Sequence, residues 1–91
     1  MTNDELLAAL RGAVTNPEGV TVEDFRGDIS VNYLPDGTVR HWGWLLRHEQ
    51  NSPARVIAYD IGPLHTSYEL RNVSRILDVL ADWLDAQEVK Q

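Results

Sequence analysis

Residues 28–46 read DISVNYLPDGTVRHWGWLL, and the way they pair with one another sets the sheet. Ile29, Val31 and Tyr33 alternate with Ser30 and Asn32, the period-two pattern of a half-buried strand. Leu34-Pro35-Asp36-Gly37 then reads as a turn, since proline presets φ at its first central position and glycine accepts the left-handed one. A three-residue loop at Pro35–Gly37 pairs Leu34 with Thr38. Counting back sets Tyr33 opposite Val39, Val31 opposite His41 and Ile29 opposite Gly43, with Leu45 continuing that face. Asp28, Ser30 and Asn32 then share the other face with Arg40, Trp42, Trp44 and Leu46.

This register leaves two readings of the tryptophans. In one, a helix covers their side of the sheet and both belong to the core. In the other, Trp42 and Trp44 form an exposed stripe rimmed by Arg40 and Asp28, and aromatics beside an arginine are what binding hot spots favour. A slip of one residue exchanges the two faces.

The flanking segments read as helices. Thr2-Asn3-Asp4-Glu5 has the capping-box pattern, and Leu6, Leu7, Leu10, Ala13 and Val14 follow at helical spacing until Thr15–Gly19 stops them. Val20 to Phe25 is a short strand or an extended loop. Beyond the hairpin, Asn51-Ser52-Pro53 leads into a strand from Ala54 to Asp60. Gly62-Pro63 ends it, leaving His65 to Tyr68 as a fourth strand or a loop. From Leu70 onward there is neither glycine nor proline. Leu70, Val73, Leu77, Leu80 and Leu84 step by three and four, with Ile76 and Trp83 widening the stripe. The order predicts one α+β domain: an N-terminal helix, an antiparallel sheet of three to four strands built on the Pro35–Gly37 hairpin, and a long C-terminal helix.

Composition narrows function by exclusion. The 91 residues suit a single domain, and without cysteine there are no disulfides, thiolate metal sites or thiol nucleophiles. No apolar run approaches the roughly 20 residues that span a bilayer, and the N-terminus is acidic where a secretion signal is basic, so a cytoplasmic protein is expected. Fourteen acidic residues against eight basic ones give a net charge of −6, which repels phosphate backbones and anionic membranes. The histidines, His41, His48 and His65, show no metal-ligand spacing, and His41 and His48 fall on opposite faces of a regular strand. No serine sits in a nucleophile elbow and the glycines form no phosphate-binding loop. We expect neither metal, cofactor nor catalysis.

One charged constellation remains. Asp78, Asp82, Asp85 and Glu88 step by four, three and three along the C-terminal helix, with Arg71 and Arg75 one or two turns earlier. Acids near a helix C-terminus oppose its dipole, although a solvated charged face is the ordinary explanation. With Glu23, Asp24 and Asp28, this ridge fits a basic surface on a partner protein, such as one that itself binds nucleic acid, with the tryptophans as anchor. In size, acidity and lack of cysteine the chain resembles small phage counter-defence proteins, anti-CRISPR proteins among them, and immunity proteins or antitoxins. That resemblance implies an inhibitor or adaptor, monomeric or homodimeric. The alternatives are a self-assembling structural protein, joined through the tryptophan face or a sheet edge, and a small enzyme using His41 or His65 beside a carboxylate.

Overall fold

The computed structural model describes residues 2–25, 28–33, 42–47, 55–59 and 66–89. It shows the expected α+β architecture. Helix α1 spans Asn3–Ala13, and a short 3-10 turn at Pro17–Gly19 follows it. Strands β1 (Val20–Phe25), β2 (Asp28–Tyr33), β3 (Trp42–Arg47) and β4 (Arg55–Tyr59) come next, and helix α2 spans Ser67–Val89. The strands form one antiparallel sheet in the order β1-β2-β3-β4.

Helix α1 begins as its sequence requires. The Thr2 hydroxyl accepts the Glu5 N–H at 3.1 Å, and the Glu5 carboxylate accepts the Thr2 N–H at 3.1 Å. Two of the orphan donors at the helix start are thereby satisfied. Leu6, Leu10 and Val14 are buried on one side, where they meet Val20, Val31 and Tyr33 of the sheet and Ile76, Leu80 and Trp83 of α2. Val20 to Phe25 is a strand, so the sheet begins before the hairpin. Within it Val20 is buried, Thr21 exposed, Val22 half-buried and Glu23 exposed, the alternation of one covered face.

The hairpin register differs from the expected one. Tyr33 pairs with Trp42, Val31 with Trp44 and Ile29 with Leu46, a shift of three residues from the pairing with Val39, His41 and Gly43. Three is odd, so every residue of β3 exchanges faces. Trp42, Trp44 and Leu46 share the helix-covered face with Tyr33, Val31 and Ile29, while Gly43, Leu45 and Arg47 fall on the opposite one. The Pro35–Gly37 turn and Arg40 lie outside the described residues, as do His41, His48 and His65.

The second correction concerns α2, which starts earlier than Leu70. Ser67 and Tyr68 are its first turn and no strand. The Thr66 hydroxyl accepts the Glu69 N–H at 3.3 Å and donates to the Glu69 carboxylate at 3.1 Å, while the Thr66 carbonyl accepts the Leu70 N–H at 3.3 Å. Thr66-Ser67-Tyr68-Glu69 repeats the threonine-to-glutamate spacing of Thr2 to Glu5. No helix among the described residues is long and apolar enough to cross a membrane.

Candidate functional site

Which face α2 presents outward follows from which face is held inward. Glu69, Asn72, Ile76, Leu80, Trp83 and Gln87 are buried, a sequence of steps of three and four along one side of the helix. This side is rotated from the expected stripe. Ile76 and Trp83, placed at its margin, lie at its centre. Leu70 and Leu77 are instead 54% and 48% exposed.

A buried polar contact fixes that rotation. Asn72 is fully buried, and its Nδ2 donates to the Tyr33 hydroxyl at 2.7 Å. Its Oδ1 accepts the Thr15 N–H at 3.1 Å, the Thr15 hydroxyl at 3.2 Å and Arg75 Nη1 at 3.3 Å. One amide thus joins the segment after α1, the second strand and α2. Turning the helix to bury Leu70 and Leu77 would break these bonds inside the core, where unmade hydrogen bonds are expensive. Burial raises the pKa of the Tyr33 hydroxyl, the bond from Asn72 opposes that rise, and Tyr68 and Glu69 nearby add to it.

With the inner side fixed, Asp78, Asp82 and Asp85 are all exposed on the side of α2 away from the sheet. Glu88 continues the same spacing into the last turn of the helix. The three aspartates span about 11 Å of helix axis at 1.5 Å per residue. The last turn of α2 holds no basic residue. Arg71 and Arg75 are exposed nearer the start, and charge is therefore segregated along the helix. Glu23 and Asp24 are exposed on β1, and Asp28 is half-buried at the start of β2.

The expected site is therefore divided. The aspartates of α2 lie on one surface, whereas Trp42 and Trp44 occupy sheet positions on the face turned toward the helices, beside Tyr33 and Val31. Asp28 pairs with Phe25 at the far end of the first two strands and does not share a strand position with either tryptophan. Sequence reasoning missed Asn72 as the determinant of helix orientation. The available signal was a single asparagine at a spacing of four from Ile76, among residues counted as apolar flank. Among the described residues, no group of three or more histidines, aspartates or glutamates is placed to hold a metal ion.

No protein-family model matches the chain, and neither a curated protein nor a solved structure matches it.

Proposed function

We propose that this domain works by binding another protein, with Asp78, Asp82, Asp85 and Glu88 of α2 meeting a basic surface on the partner, and without chemistry of its own. The observation that supports this reading is the exposure of all three aspartates on the outward side of a helix whose inward side is pinned by Asn72. A ridge presented on a rigid element suits electrostatic recognition, which needs charges held in place before the partner arrives. Three carboxylates within about 11 Å also suit a surface built to hold phosphates, so a nucleic-acid-binding protein is the concrete partner class. This is the mode of an inhibitor of the phage counter-defence or antitoxin kind. Trp42 and Trp44, paired in the sheet with Tyr33 and Val31, are not called on in this proposal.

The test is a paired affinity capture from the organism that encodes the chain. Wild type and a variant with Asp78, Asp82 and Asp85 all changed to asparagine serve as baits at low salt. A protein retained by the wild type and lost from the folded variant supports the reading. Identical capture by both removes the ridge from the mechanism.

A further inference from the structure

We propose that Arg71 and Arg75 belong to the same recognition face as Asp78, Asp82 and Asp85, and that the partner protein matches it with a basic patch ending against its own carboxylates. This rests on the binding reading and narrows the partner it admits. The five residues step by four, three, four and three along α2, and all five are exposed. At 3.6 residues per turn they fall within about 80° of the helix circumference, on a line about 21 Å long. That line lies away from the side held inward by Asn72, Ile76, Leu80 and Trp83. Positive charge occupies about 6 Å at its start and negative charge about 11 Å at its end.

The order of signs along the line separates it from an ordinary solvated face. A solvated helix face alternates in sign, so that residues three and four apart attract one another. Here Arg71 and Arg75 are four apart with like charge, as are Asp78 and Asp82, and such pairs are mildly unfavourable within a helix. Only Arg75 and Asp78, at the junction, are opposite in sign at that range. Among the described residues none of the five makes an ion pair. Arg75 is also restrained, because its Nη1 donates to Oδ1 of the fully buried Asn72 at 3.3 Å. Its other N–H groups are left for a carboxylate. A partner lined by positive charge alone, as a channel for a continuous phosphate backbone is, would set like charge against Arg71 and Arg75. Like charges brought together oppose docking. The complementary surface carries lysine or arginine over about 11 Å, then aspartate or glutamate over about 6 Å. Within the nucleic-acid-binding class, that describes the rim of a phosphate site and not its floor. Two blocks of opposite sign also admit a single docking direction.

Reversing the two arginines gives a test whose sign cannot come from net charge. Arg71→Glu with Arg75→Glu adds four units of negative charge to a chain already at −6, so unselective attraction to a basic protein should grow. Wild type, the triple aspartate-to-asparagine variant and the arginine variant serve together as baits at low salt. A protein that the aspartate variant loses is then purified and titrated against all three chains by calorimetry. The arginine variant should bind that protein about tenfold more weakly than the wild type, despite its greater acidity. Binding as tight as the wild type's, or tighter, overturns the proposal and leaves the aspartate ridge standing. Identical capture by the wild type and the aspartate variant overturns both. Because Arg75 bonds Asn72, melting curves come first. Should the double variant unfold, Arg71→Glu alone carries the test and should weaken binding about threefold. Unchanged or tighter binding by folded Arg71→Glu overturns the proposal in that case as well.

Discussion

The Asn72 side-chain amide donates to the Tyr33 hydroxyl at 2.7 Å, and both side chains are fully buried. They lie 39 residues apart in sequence, so the bond ties the sheet directly to the long helix. It also couples two packing problems: which face of β2 is covered, and which side of α2 turns inward.

Removing that amide should cost more than a typical hydrogen bond. Asn72→Ala leaves the Tyr33 hydroxyl and the Thr15 N–H without this partner, and a loss of about 2–4 kcal/mol is expected in chemical denaturation. Tyr33→Phe removes only the hydroxyl and should cost about 1–2 kcal/mol. The double variant should lose less than the two single changes together, since they break the same bond. Strict additivity would mean that the contact carries no coupling energy.

Alkaline pH provides a second test of the same site. Burial raises the Tyr33 pKa above its usual value of 10.0, so the folded chain holds this proton at pH values where the unfolded chain releases it. Stability from this group is fully present below the unfolded pKa and is lost as pH rises through the folded one. Melting temperature should therefore fall above about pH 10 more steeply in the wild type than in Tyr33→Phe. Parallel slopes would show that Tyr33 titrates alike in both states.

The rotation of α2 predicts opposite fates for two neighbours. Ile76 is fully buried, and Ile76→Ala should cost about 2–5 kcal/mol. Leu77 is about half exposed, and Leu77→Ala should change stability by no more than about 0.5 kcal/mol. Comparable losses at both positions would restore the stripe read from periodicity.

That stripe shows what the sequence could and could not convey. The capping box at Thr2 and Glu5, the stop at Asn16-Pro17 and the alternation of β2 are local chemistry, and each was legible. The orientation of α2 was not. Seven apolar residues spread over more of the helix circumference than one sheet can cover, and the choice among them rests on Asn72, whose partners lie far away in sequence. The hairpin failed for a related reason. Pro35–Gly37 is a local turn signal and does not by itself fix which residues pair, and the register that forms sets Trp42 opposite Tyr33 and Trp44 opposite Val31. The aspartate ridge was visible because charge at helical spacing is a local pattern. Its separation from the tryptophans depended on the register and was hidden with it.

The register itself can be tested at Trp44. Its pairing with Val31, which is fully buried, places it on the covered face. Trp44→Ala should accordingly cost about 3–5 kcal/mol. With the three-residue loop the same residue would sit among Ser30 and Asn32 on the other face, and its loss would be small. A stability change below about 1 kcal/mol would return Trp44 to the open side.

The acidic ridge makes the sharpest separation between stability and recognition. Changing Asp78, Asp82 and Asp85 together to asparagine removes three negative charges from the exposed side of α2. All three side chains are exposed, so no packing is lost, and the domain should melt close to the wild-type temperature. Binding to a basic partner should respond in the opposite direction. Wild-type association should slow as salt rises, because attraction between separated charges is screened over roughly 8 Å at physiological ionic strength. The triple variant should associate more slowly at low salt, with a flatter salt dependence and a dissociation rate that changes less. Melting curves and stopped-flow association at several salt concentrations check both halves. A variant that folds normally and keeps the wild-type salt slope would show that recognition does not run through this ridge.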